Sequence, residues 1–194
     1  MTPKDLFLML STIAALTSPV IGIYSIVKGG FRPQRMTRFL IFLVSLLFVG
    51  TLLAQGDRNG IFIAAPQLLG SFIIFILSLK KGMGGRDQMD IVVFIMAVFS
   101  LIIWKTTNNP VLGLTMSIIT DLIAFFPTLV KTWKLPYTEE WKFYMSDVIA
   151  SIFSILAIKN YTYGVLVFPI YILLINTTSV LMINLRKKVL KRID

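Results

Sequence analysis

Two carboxylates, Asp121 and Asp147, lie inside long apolar runs. A charged side chain at the centre of a membrane helix costs about 2.5 to 3.5 kcal/mol on insertion scales, so each needs a physical reason. Asp121 falls about ten residues into its run, some 15 Å deep at the helical rise, which is half of a ~30 Å hydrocarbon layer. A carboxyl group at that depth is a candidate to take up a proton on one side and release it on the other. Ser117, Asp121, Ala124, Thr128 and Lys131 share one helical face, and the nearest hydroxyl donors along that helix are Ser117 and Thr120. The first apolar run carries a similar stripe, Ser11, Ala15, Ser18, Gly22 and Ser25. Facing each other, the two stripes would line a wet cavity, although small-residue stripes also serve simply as close-packing surfaces. Asp147 stands a turn and a half into its run, within reach of Lys131 or Lys142 for an ion pair, or placed as a gate. Gln67, Ser71 and Ser78 fall on one face of the third run, and Tyr171, Asn176, Thr177 and Asn184 mark the seventh. Tyr24, Phe168 and Tyr171 are the aromatic surfaces on which a ring could stack. The chain has no cysteine and no histidine, which excludes disulfides, thiol nucleophiles, Cys or His zinc sites, His-held haem and every Ser-His dyad. No cofactor, metal or enzymatic activity is expected.

The elements that must position these residues are seven apolar runs, at 6–27, 39–55, 61–79, 91–104, 111–130, 143–158 and 161–185. With 56% hydrophobic and 14% charged residues in 194 and a mean hydropathy of +0.83, the chain reads as an all-α integral membrane protein. Lys and Arg between the runs number 1, 4, 1, 3, 1, 3, 1 and 5 in order. If all seven runs span, one face carries 15 and the other 4. If the short fourth run does not span, the split becomes 9 against 10 and the bias vanishes. Seven spans are therefore expected, with the N-terminus outside and the tail from Arg186 to Arg192 in the cytoplasm of a prokaryotic cell. Trp104 marks one interface and Trp133 and Trp141 the other. The net charge of +10 follows from this topology, and no nucleic-acid partner is expected. The first run is longer than a signal-peptide core and continues into a basic loop, so it is read as a mature helix.

The landmarks repeat. Pro19 and Pro127 lie near the basic ends of the first and fifth runs, each followed by a basic loop with a second proline, Pro33 or Pro136. Pro33 to Pro66 and Pro136 to Pro169 span the same 33 positions, and the same register aligns Leu53 with Leu156 and Ala54 with Ala157. The expected organisation is a first three-helix bundle (1–80), a linker helix with its flanking loops (81–110), a second bundle (111–185) and a basic tail (186–194). Because one odd helix separates them, the two bundles would be parallel, related by an axis along the membrane normal.

The passages SPVIGIYSIVKGGFRPQ and FPTLVKTWKLPYTEE resemble the helix-1 and helix-5 motif of the SWEET and PQ-loop superfamily, which includes the PnuC vitamin transporters. The proline of the family's Pro-Gln pair is kept in Ser18-Pro19-Val20 and Phe126-Pro127-Thr128, and the glutamine is not. The resemblance implies a 3+1+3 transporter that rocks about hinges at Pro19 and Pro127. It also implies a substrate-facing asparagine on helix 7, here Asn176, with a partner on helix 3; the repeat register puts Ile73 at that place, which leaves the pair incomplete, and Gln67 is the candidate to substitute.

The expected function is alternating-access transport of a small solute, with proton coupling through Asp121. The partners this allows are the lipid bilayer, a small-molecule substrate and further copies of the chain. A non-transporting receptor or partner subunit is the alternative. Two carboxylates on consecutive helices can share a proton and activate water, as aspartyl proteases do, but a Gly-x-Gly-Asp signature is missing from IITD and YMSD. A retinal protein is excluded because the seventh run has no lysine for a Schiff base. A cysteine introduced at Thr2 is expected to react with an impermeant maleimide from outside the cell. Labelling only from the cytoplasm would refute the orientation.

Overall fold

The computed structural model describes residues 2–84 and 88–191, apart from the side chains of Met89 and Asp90. Residues 85–87, with the loop cation Arg86, and the tail residues 192–194, Arg192 included, lie outside the described residues. Helix boundaries follow local signals. Thr2 and Asp5 form a reciprocal capping box ahead of α1 (Pro3–Lys28), and Gly29 closes it in the left-handed conformation at φ 84°. Gly56, at φ 69°, ends α2 (Arg35–Gln55) in the same way. Asp57 then caps α3 (Arg58–Lys81). After α4 (Gln88–Thr107), the Asn109 side chain accepts from the Val111 and Leu112 amides and Pro110 opens α5 (Pro110–Lys134). A 3₁₀ turn, Pro136–Thr138, leads to α6 (Trp141–Ala157) and α7 (Tyr163–Leu190). The described residues contain no strand. α1, α2, α3, α5 and α7 are each long and apolar enough to cross a membrane, and α4 is a shorter apolar helix over Ile91–Thr107. α1 and α5 continue as helices through Pro19 and Pro127.

The helices run alternately between two ends. One, called here the basic end, holds the loops at 29–34 and 135–140; the N-terminal end holds 56–57, 108–109 and 158–162. Within α1–α3, α3 touches both α1 and α2, and within α5–α7, α7 touches both α5 and α6. Between the groups, α1 lies on α6 and α2 on α5, while α4 packs against α5 and α2. Small residues permit these approaches. A Cβ at Gly70 would collide with the ring of Pro19, and one at Gly22 would meet Phe143 at 2.8 Å. Trp104 of α4 lies against both Gly50 and Gly113, and Ser100 and Thr120 share a buried hydrogen bond of 3.0 Å that ties α4 to α5. Outward faces are mostly apolar, as Val20, Leu69, Ile91 and Leu174 illustrate.

One expectation is corrected. The stripe Ser11, Ala15, Ser18, Gly22 and Ser25 is buried throughout, but it faces α6 rather than α5: the Ser11 hydroxyl donates to the Ala150 carbonyl at 2.8 Å. Periodicity identifies the face a helix buries and leaves its partner open.

Asp57 carries a consequence for stability. Its carboxyl accepts from the Gly60 amide at 3.2 Å, while its other oxygen is buried without a hydrogen bond. Burial pushes the group above the usual carboxylate range, against the pull of the Gly60 and Asn59 amides. An acid whose folded pKa is raised favours folding most at low pH, and loses that contribution as pH climbs from its unfolded value, near 3.9, through the folded one. Asp57→Asn keeps the cap without the charge, so it is expected to raise the melting temperature at neutral pH with no gain below about pH 4. Asp57→Ala is expected to lose about 1 kcal/mol with the cap. Melting curves across pH check both, and an Asn variant that melts lower than the parent at neutral pH would refute the assignment.

Candidate functional site

Among the described residues, α1, α2, α3, α5, α6 and α7 contribute side chains to one cavity of about 80 Å³. That is several times the 10 to 15 Å³ that one water needs by the same measure. Its walls are largely apolar and aromatic, with Phe48, Phe125 and Phe143 among them, and its charged side chains are Arg38, Asp121 and Asp147.

Asp121 is 8% exposed. Its hydrogen-bond partner comes from across the bundle, where the Tyr171 hydroxyl of α7 donates to Oδ2. The intrahelical hydroxyls do not serve it. Ser117 and Thr120 both donate to their own helix at 2.8 Å, to the Gly113 and Met116 carbonyls. Asp147 is 4% exposed, with Ser18 and Gln67 facing its carboxyl group and with Oδ1 free of any hydrogen bond. The anticipated pairing with Lys131 or Lys142 is not formed. Lys131 instead bridges to Glu139 at 2.6 Å, because the turn at Pro136 brings that glutamate back beneath the end of α5.

Arg38 is the member that the sequence reading missed. It sits in the first turn of α2 and counts, in one dimension, among the loop charges. In the fold it is 4% exposed, with its guanidinium over the rings of Phe31 (5.2 Å) and Phe143 (5.6 Å). Its Nε makes no hydrogen bond, and the one ion pair among the described residues is Lys131 with Glu139. A signal was present: Arg38, Ile41, Ser45 and Phe48 fall on one helical face, and all four line the cavity.

The remaining candidates divide. Gln67, Ser71, Asn176 and Pro19 line the cavity with the two aspartates. The Asn176 amide donates to the Ile172 carbonyl at 2.9 Å, and Ser71 donates to Leu68 at 2.9 Å. Ser117 and Thr128 are buried but lie off the cavity, as does half-buried Pro127. Tyr24 points outward at 64% exposure, and Phe168 is buried in the core against Phe48; neither offers the cavity a stacking surface.

The two ends of the cavity are closed differently. At the basic end, Glu139 takes the Lys131 ammonium on Oε1 and the Tyr144 hydroxyl on Oε2 at 2.7 Å. Lys131 also donates to the Arg32 carbonyl, the Arg32 amide to the Thr138 carbonyl at 3.0 Å, and Ser25 to Glu140 at 3.2 Å. These bonds tie the loop at 29–34 to the one at 135–140. Toward the N-terminal end, Leu52, Ile63, Leu114 and Phe168 belong to an apolar cluster. At that end a polar mouth of about 520 Å³ is bordered by Lys4, Asp5, Gln55, Arg58 and Lys159.

No protein-family model, curated protein or solved structure matches the chain.

Glu139 has a buried side chain, and its Lys131 partner is 11% exposed. Removing one member of a buried pair strands the other and costs about 3 to 5 kcal/mol. Glu139→Gln is therefore expected to lower thermal stability markedly, and Lys131→Met combined with it to recover most of the loss. A double variant no more stable than the single would show that the pair is not the latch.

Proposed function

We propose that this chain is a small-solute transporter of a prokaryotic cell membrane, working by alternating access between two three-helix repeats. In this reading all seven helices span, with the N-terminal end outside and the basic end cytoplasmic. α1–α3 (within 1–80) and α5–α7 (within 111–185) are parallel repeats joined by α4 (within 81–110). The packing supports the repeat. Exchanging α1 with α5, α2 with α6 and α3 with α7 turns the α1–α6 contact into the α5–α2 contact and leaves the central helix of each group central.

The observation that carries the transport reading is the charged cavity, to which both groups contribute side chains, Ser18, Arg38 and Gln67 from one and Asp121, Asp147 and Asn176 from the other. Rocking one group against the other would open the cavity to one side at a time. The basic-end latch, Lys131 with Glu139 and the Arg32 carbonyl, is the contact that inward opening has to break, and Pro19 and Pro127 are the places where α1 and α5 would bend. Asp121 is the proton carrier in this scheme, with the Tyr171 hydroxyl as its hydrogen-bond donor. No cofactor and no enzymatic step is needed; the partners are the bilayer and the solute, and self-association is compatible with the apolar exterior.

The test is flux. Solutes released from the purified protein are identified by mass spectrometry and then supplied to proteoliposomes. Uptake above that of empty liposomes is expected, with accumulation driven by a pH gradient. Asp121→Asn should abolish gradient-driven accumulation and preserve exchange. A variant that keeps full accumulation would make Asp121 structural. Absence of flux for every co-purifying solute would favour a receptor or partner subunit.

A further inference from the structure

The polar atoms that line the cavity are unequally served. Asp121 already accepts the Tyr171 hydroxyl, and Ser45 and Ser71 donate to their own helices. Arg38 and Asp147, each 4% exposed, are left with a bare Nε and a bare Oδ1. A buried guanidinium without an anion is among the costliest groups a protein can hold, and the same is true of a buried carboxylate oxygen without a donor. The two do not pair with each other, since Arg38 forms no salt bridge, and the cavity that both line is open between its walls. What is missing on one side is an anion able to meet a planar fork of donors, and on the other a cation or strong donor.

We propose that the cavity binds a small zwitterion, its carboxylate held by Arg38 and its ammonium group by Asp147. This deepens the transport reading and rests on it. The alternatives each leave a charge unpaired. A simple carboxylate would satisfy Arg38 and leave Asp147 with only the neutral donors Ser18 and Gln67, an amine would leave Arg38 without an anion, and an uncharged polyol would neutralise neither. The Phe31 and Phe143 rings beside the guanidinium and the Tyr144 hydroxyl next to it hold it in place, with its Nε still without a partner. The size of the cavity, about 80 Å³, restricts the occupant to compact members of the class. Gln67, which lines the cavity and faces Asp147, is placed to add an amide contact to the same ammonium group.

The experiment uses the full chain in detergent, with glycine, L-alanine and β-alanine as probes. Propionate and ethylammonium, each lacking one of alanine's two charges, are the controls at matched ionic strength. Dissociation constants are read from thermal shifts and equilibrium dialysis. At least one zwitterion is expected to bind tenfold or more tightly than either control, since each charge-assisted contact is worth about tenfold or more. Arg38→Gln should weaken zwitterion binding by about tenfold or more. Asp147→Asn should weaken it while leaving propionate unchanged, so the preference for zwitterion over propionate collapses within a single folded variant; gel filtration verifies that each variant stays monodisperse. Propionate binding as tightly as the zwitterions to the parent, no binding of any zwitterion, or an unchanged preference in Asp147→Asn would each overturn the proposal. The two readings fail separately. A co-purified solute that is taken up while no zwitterion binds leaves transport standing and removes the zwitterion. Zwitterions that bind without flux leave the site standing and remove transport.

Discussion

A guanidinium enclosed in an apolar bundle has to be stabilised by whatever surrounds it, and much of the basic half of this protein is arranged around that requirement at Arg38. Two aromatic faces flank it, each such contact being worth about 0.5 to 2 kcal/mol, and both have to be brought there. Phe31 arrives on the loop after α1, which turns at Gly29 and is fastened through the Arg32 amide and carbonyl to Thr138 and Lys131. Phe143 arrives from the first turn of α6, over a position on α1 where only glycine leaves room, Gly22. Its neighbour Tyr144 meets the Phe143 ring edge to face at 5.0 Å and hands its hydroxyl to Glu139, which in turn holds Lys131. The stacked arginine and the loop-to-loop latch thus share their residues, and loosening one loosens the other.

The same economy governs the hydroxyl groups. Within an apolar surround a serine or threonine hydroxyl needs an acceptor, and the nearest is the carbonyl one turn back on its own helix. Ser45, Ser117, Thr120, Thr132 and Ser179 all take it. A hydroxyl satisfied in this way becomes a small, nearly apolar surface. The serine-rich face of α1 is satisfied across the interface instead, Ser11 on the Ala150 carbonyl and Ser25 on Glu140, so it packs closely on α6, and the polarity of the cavity comes from its charged side chains, Arg38, Asp121 and Asp147, with the amides of Gln67 and Asn176.

This also explains what was legible in one dimension. Apolar run lengths announce the helices within a few residues, because hydropathy is local; the caps at Thr2, Asp57 and Asn109 and the glycine ends at Gly29 and Gly56 then set the boundaries. The intramembrane aspartates stood out because a charge in an apolar run has no local explanation. Arg38 did not, since a charge at a helix end is ordinary, and only the neighbouring loop folding over it makes it buried. The partner of Asp147 was misjudged for a related reason. Lys131 is near in sequence space, but Glu139 is nearer once Pro136 turns the chain. Ser117 and Thr128 share a helical face with Asp121, yet a face spans over 100° of arc and the cavity takes up only part of it.

The two closures of the cavity differ in kind, and this sets how each can open. The basic end is held by charge and hydrogen bonds, and such bonds can be exchanged for equivalent ones with water, so the net cost of opening is the difference between two large terms and responds to any change in charge nearby. The cluster of Leu52, Ile63, Leu114 and Phe168 toward the other end has no such exchange available, since every Å² of apolar surface wetted costs roughly 25 cal/mol whatever the charge state. A change of charge in the cavity can therefore act on the basic end far more strongly than on the apolar one. In a bundle whose Arg38 lies against Phe31 and within electrostatic reach of Asp121, Asp147 and Lys131, that influence passes through the residues that form the latch.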